Sequence, residues 1–140
     1  MNKHIAVINT PKYNPDKYFE RFASQIRENK ATKKTPIVLI NTDYPNGLPS
    51  SLVNLGVHLV EGHGNHEADF KLANLAEAEH ILVLAKDEFE LDSDSLTFDL
   101  CYRMKEHGLA YRTIVECVED ENRDRLKRIG VKSVIRPIRS

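Results

Sequence analysis

Three groups of residues in this chain have types and spacings that could do chemistry. The first is the loop Asn9-Thr10-Pro11-Lys12-Tyr13-Asn14-Pro15, which follows the apolar run His4-Ile5-Ala6-Val7-Ile8. Nucleotide-binding folds carry glycines in such a strand-to-helix loop, so that the backbone can approach a pyrophosphate and the next helix can pack closely. This loop has no glycine. The second group is Gly62-His63-Gly64-Asn65-His66, with His58, Glu61, Glu67 and Asp69 nearby. Histidines three apart beside carboxylates suit a transition metal. However, His58 falls in a strand, the other two straddle a turn and a helix start, and no cysteine is close. Asn65 as a helix cap, with Glu67 and Asp69 favouring the helix dipole, explains these residues more simply. The third group, Asp92-Ser93-Asp94-Ser95, is rich in oxygen ligands. Its serines lack an evident base, and no Gly-x-Ser-x-Gly elbow exists, so covalent catalysis finds no support.

The elements that must position these groups alternate along the chain. Strands are predicted at 5–8, 37–40, 57–60, 81–85, 113–117 and 133–135. Most are short and continuously apolar, as strands covered on both faces should be. Asn14-Pro15-Asp16 predicts a helix start, with a capping side chain, a proline in the first turn and an acid near the positive dipole end. Phe19, Phe22, Ala23 and Ile26 then follow at helical spacing. Tyr44-Pro45-Asn46-Gly47-Leu48-Pro49 leaves room for only a short helix at 50–54, closed by Gly56. A helix over 66–75 carries Phe70, Leu72 and Leu75. A longer one opens at 92–95, buries Leu96, Leu100, Cys101 and Met104, and stops near Gly108. A charged helix over 120–129 ends at Gly130. Its Asp124 and Arg128 are spaced to pair, while Leu126 and Ile129 suit either the sheet or an interface. This order predicts an α/β fold: a Rossmann-like, doubly wound parallel sheet of six strands in the order 3-2-1-4-5-6.

Bulk properties narrow the function classes. The 140 residues suit one compact domain, and a formal net charge of -1 attracts neither nucleic acid nor an anionic membrane. No apolar run approaches the roughly 20 residues that would span a bilayer, and no signal-peptide core is present, which makes a cytoplasmic location the default. The two cysteines, Cys101 and Cys117, read as buried thiols rather than a disulfide or redox pair.

Several spaced motifs, in order, resemble the regulator-of-potassium-conductance (RCK) domain and the related TrkA-type N-terminal (TrkA-N) domain of potassium channels and transporters. They are Glu77-Ala78-Glu79-His80-Ile81-Leu82-Val83-Leu84-Ala85, Asp92-Ser93-Asp94-Ser95, Arg112-Thr113-Ile114-Val115-Glu116, and the closing stretch from Glu121 through Arg128-Ile129-Gly130-Val131 to Pro137. The resemblance implies one Rossmann-like RCK N-terminal domain over residues 1–140. Such domains assemble as dimers or gating rings and act as sensors rather than catalysts. The implied partners are further copies of the chain and a potassium channel pore or transport subunit, with no nucleic acid and no direct membrane insertion. The chain would then be tethered to the inner face of the cell membrane, either as a separate subunit or as a fragment of a channel. It stops soon after the sixth strand, as though cut from something longer. The enzyme alternative, a Rossmann oxidoreductase or other nucleotide-dependent protein, lacks an evident acid–base constellation.

The expected crevice lies at the carboxyl ends of strands one, two and four. Asn9 stands at the first glycine's place and Thr10 follows it. The ribose-binding acid at the end of strand two is replaced by Asn41, with Asp43 two residues on. Ala85 and Lys86 line the crevice after strand four. Gly62 matches the family's glycine after strand three, and His63 stands where an acid normally follows. These departures favour a degenerate crevice over conventional NAD binding and leave a smaller adenine nucleotide open. In calcium-activated relatives, acids matching Asp94 and Glu116 contribute to an ion site, which Asp87, Asp92, Ser93 and Glu119 could complete. A second acid expected two residues after Glu116 is Val118. The simpler alternative is that Asp92 and Ser93 cap the next helix, Asp94 and Ser95 lie in its first turn, and Glu116 pairs with an arginine.

Overall fold

In the computed structural model, which describes residues 3–87 and 93–137, strand and helix alternate from end to end. The elements are β1 (Ile5–Ile8), α1 (Pro15–Glu28), β2 (Ile37–Asn41), α2 (Ser50–Asn54), β3 (Val57–Glu61), α3 (Glu67–Leu72), β4 (His80–Val83), α4 (Ser93–Glu106), β5 (Thr113–Glu116), α5 (Arg123–Ile129) and β6 (Ser133–Ile135). The six strands form one sheet in the order β3-β2-β1-β4-β5-β6. Every pairing is parallel. The predicted Rossmann-like, doubly wound architecture is therefore the observed one.

Alternation along β1 explains why both sheet faces are covered. Ile5 and Val7 point to one face, where they join Phe19 and Ala23 of α1, Ile37, Leu39 and Leu52. Ala6 and Ile8 point to the other, against Phe70, Leu100, Cys101, Met104, Leu126, Ile129 and Val134. A side chain such as Phe19, with no exposed surface, contributes about 1.5–3 kcal/mol through its removal from water. Leu126 and Ile129 are both buried in the second cluster, so they pack on the sheet.

Several local expectations need correction. Asn14 does not cap α1 through its side chain; it takes the left-handed conformation, with φ 51°. Asparagine tolerates that region, and the following proline disfavours the right-handed helical alternative. The third helix begins at Glu67 and ends at Leu72, with His66 rather than Asn65 at its cap position. Leu72 is 71% exposed. The chain then passes through Asn74, at φ 50°, into a separate 3-10 turn, Leu75–Glu77. The predicted helix over 120–129 divides into a 3-10 turn, Asp120–Asn122, and α5. Asp120 pairs with Arg136, and no ion pair joins Asp124 to Arg128 among the described residues. Asp92 lies outside the described residues. Gly130 ends α5 with φ 106°, as its position predicted.

Candidate functional site

The order β2-β1-β4 puts the topological switch point between β1 and β4, and the loops beyond the carboxyl ends of these strands form the crevice. Register carries those ends to one level: Ile8 pairs with Ile40 on one side and Val83 on the other. Asn9 extends the ladder, its N–H donating to Ile40 O at 3.0 Å. It then turns the chain at φ 73°. This left-handed conformation is one that a glycine would enter without strain, and asparagine is among the few other residues that visit it routinely. The turn therefore survives without its glycine. What is lost is the bare backbone beside it, because Asn9 and Thr10 are both buried side chains.

The polar groups under this turn are tied to each other. The Asn41 amide donates to Thr10 Oγ1 at 2.7 Å, and Asn41 Oδ1 accepts the Asp43 N–H. Asn41 thus stands at the end of β2 as a loop organiser, with both ends of its amide engaged. Two residues on, both Asp43 oxygens receive Lys86 Nζ, at 2.8 and 2.9 Å. Lys86 is rooted by its neighbours: its carbonyl accepts the Lys12 N–H at 2.6 Å, and the Ala85 N–H donates to Glu116 Oε1 at 2.8 Å. Lys12 Nζ lies 3.7 Å from Asp87 Oδ2. The structure therefore gathers Asn9, Thr10, Asn41, Asp43, Ala85 and Lys86 at one end of the sheet. Lys12, from the loop after Asn9, joins them.

Gly62 continues the same edge, its N–H donating to Asn41 O at 3.3 Å. Its lack of a side chain is required by Asp69, because a Cβ on Gly62 would lie 2.3 Å from Asp69 Oδ1. Asp69 is 7% exposed and accepts the Gly64 N–H at 3.1 Å. Its carboxylate folds back under the Gly62-His63-Gly64 turn and holds it, while no side chain caps α3. The spacing of Gly62, Gly64 and Asp69 was visible in the sequence, but read locally it indicated only a first-turn acid. His63 is exposed. Among the described residues, no three His, Cys, Asp or Glu side chains converge to hold a metal ion.

Asp94 and Glu116 are both buried. Asp94 lies in the first turn of α4 and reaches the chain after β5. Its carboxylate accepts from Val118 N at 2.8 Å, Glu119 N at 2.9 Å and Asn122 Nδ2 at 2.9 Å. Glu116 Oε1 accepts the Ala85 N–H. A cation at either carboxylate would compete with these bonds for its oxygens. Ser93 binds the chain before it: its hydroxyl donates to Asp87 O at 2.7 Å and receives the Asp87 N–H at 3.2 Å. Both cysteines are free and buried. Burial pushes the Cys101 thiol up to about 12. Burial, followed by the neighbouring Asp94 charge, pushes Cys117 up to about 12. Tyr44, whose hydroxyl donates to Asp16, also has its pKa raised, first by burial and then by that bond.

Comparison with known proteins gives these contacts a family. No curated protein matches the sequence. The RCK domain of GsuK has a TM-score of 0.63 and 16% identity; the match covers 96% of this chain but 26% of the GsuK chain. GsuK structures bound to ADP and to NAD are similarly close. The TrkA-N domain of the inner membrane protein YbaL from Escherichia coli has a TM-score of 0.65 and 17% identity, covering 97% of this chain and 88% of that one. The Kef CTD of Shewanella denitrificans in its AMP-bound form has a TM-score of 0.63 and 10% identity, covering 96% and 71%. At these identities the likeness shows a shared fold. The family model of the TrkA-N domain matches residues 18–137, and the chain belongs to the TrkA-N domain family.

Proposed function

We propose that this chain is a cytoplasmic regulatory domain of a potassium channel or K+ transport system. In this reading it works as an oligomer of the gating-ring type, and its crevice senses an adenine nucleotide rather than holding NAD in the conventional pose. The observation that carries the reading is the Asn9 turn. It keeps the left-handed geometry of a nucleotide-binding loop at the switch point of a TrkA-N fold, while the buried Asn9 and Thr10 stand where glycines would leave bare backbone for a pyrophosphate. Liganded GsuK and Kef structures, with ADP, NAD or AMP, support a nucleotide as the ligand class. Rossmann-like folds also serve enzymes, so the reading rests on the site and the family rather than the fold alone. A nucleotide would act by favouring one arrangement of the oligomer over another.

Thermal-shift titration tests the sensor. AMP or ADP at about 100 times its dissociation constant adds roughly 2.7 kcal/mol to the folded state, which raises Tm by on the order of 10 °C for a domain of this size. An unmoved midpoint with every adenine nucleotide would contradict the reading. Asp94 and Glu116 serve as loop organisers in this account, so Ca2+ should leave Tm unchanged. Solution mass tests assembly: the expected result is a dimer or larger, and a strict monomer at high concentration would oppose it.

A further inference from the structure

We propose that Lys86 is the phosphate ligand of the crevice, and that Asp43 is its built-in competitor, holding the ammonium until a phosphate-bearing nucleotide replaces the carboxylate. This deepens the nucleotide reading above and rests on it. Asp43 follows β2 and Lys86 follows β4, and these strands flank β1 on its two sides. Their ion pair must therefore arch across the carboxyl end of β1, above the Asn9 turn. That is the place a ligand phosphate takes in folds of this kind.

With no glycine between Asn9 and Asn14, a cationic side chain has to supply much of what a bare backbone would give. Lys86 is placed to do so. Its backbone is stitched to the loop through the 2.6 Å bond from Lys12 N, and the preceding Ala85 N–H is anchored on Glu116. Only the lysine side chain need move for the ammonium to change partners. Its present partner holds it weakly enough to be exchanged, since the Lys86 and Asp43 side chains are 37% and 36% exposed. An ion pair that open to water is worth only a few-fold in an equilibrium. Lys12, half-exposed and 3.7 Å from Asp87, lies beside the same loop. A phosphate dianion offers Lys86 more charge than one carboxylate and more acceptor oxygens.

The sign of one substitution separates this role from the ribose-binding role that the position of Asp43 suggested. If Asp43 held ribose hydroxyls, Asp43→Asn would weaken AMP binding. As a competitor for Lys86, Asp43→Asn should tighten it.

The test measures AMP and adenosine affinities by calorimetry on the full chain. The variants are Asp43→Asn, Lys86→Met, Lys86→Arg and the Asp43→Asn/Lys86→Met double, each first checked for a cooperative melt. Asp43→Asn should tighten AMP roughly two- to fivefold, the scale of an exposed ion pair, and leave adenosine unchanged. Lys86→Met should weaken AMP about tenfold or more, while Lys86→Arg should retain most of the affinity. In the Lys86→Met background, Asp43→Asn should have no effect, which separates direct competition from a general change of field. Weaker AMP binding by Asp43→Asn, an undiminished Asp43→Asn effect without Lys86, or unchanged binding by Lys86→Met would each overturn the proposal while leaving nucleotide sensing intact. Absence of AMP binding in both wild type and Asp43→Asn would overturn the nucleotide reading itself, and this proposal with it.

Discussion

Gly62 and Asp69 show how a residue's role can lie seven positions away in the sequence. The Asp69 carboxylate fills the space beside the Gly62 Cα, so Gly62→Ala must push a buried charge off the Gly64 N–H. A loss of about 2 kcal/mol is expected, within the range for a displaced buried hydrogen-bonding group. Combining it with Asp69→Ala should cost less than the sum of the two single changes, because both disturb one contact. Denaturant unfolding of the four proteins checks this; strict additivity would contradict the packing argument. His4 carries a different signature. It has no exposed surface and its Nε2 lies 2.8 Å from Ala73 O. Burial lowers its pKa below the ordinary 6.5. The unfolded chain therefore takes up the proton first as pH falls through 6.5, and folding stability declines below that point by up to ~1.4 kcal/mol per pH unit. The decline stops at the folded-state pKa. Above pH 6.5 the imidazole is neutral in both states and adds no slope. His4→Gln keeps an N–H donor and should flatten this part of the stability–pH curve; equal slopes in the two proteins would refute the assignment.

The elements were legible to different degrees, for physical reasons. β1 and β2 are dense apolar runs whose burial the pattern reveals directly, and all six strands fell where the runs predicted, to within a residue or two at each end. Helix α1 was equally plain from Phe19, Phe22, Ala23 and Ile26. Helix α3 was not. Its start depends on Asp69 folding back onto Gly64, and its end on Asn74 entering the left-handed region, and neither follows from helical periodicity. The acids were legible as important but not in their job. Asp94 joins α4 to the segment after β5, across more than twenty residues of sequence, by three N–H donors. A short motif cannot express that link. Asp94→Ala would strand those donors and is expected to destabilise the domain by about 3 kcal/mol or more. Hydrogen exchange should show the loss of protection concentrated at Val118 and Glu119. Unchanged protection there would contradict the organising role.

At the scale of the whole molecule, the doubly wound sheet brings seven crevice residues to one edge, and they come from three separate loops. The sequence identified that edge and most of its residues, because strand order fixes the switch point once the strands are known. It could not reveal that Asn41, Thr10, Asp43 and Lys86 satisfy one another, since those bonds depend on the register of β2, β1 and β4. On the proposed reading, this internally paired crevice opens to an adenine nucleotide. Backbone amide NMR of the full chain titrated with AMP tests it most directly. Shifts should concentrate at Asn9, Thr10, Lys12, Asn41, Asp43, Ala85 and Lys86, with the β6 edge unmoved. Saturating AMP that leaves those amides in place, or moves only residues elsewhere, would contradict the account.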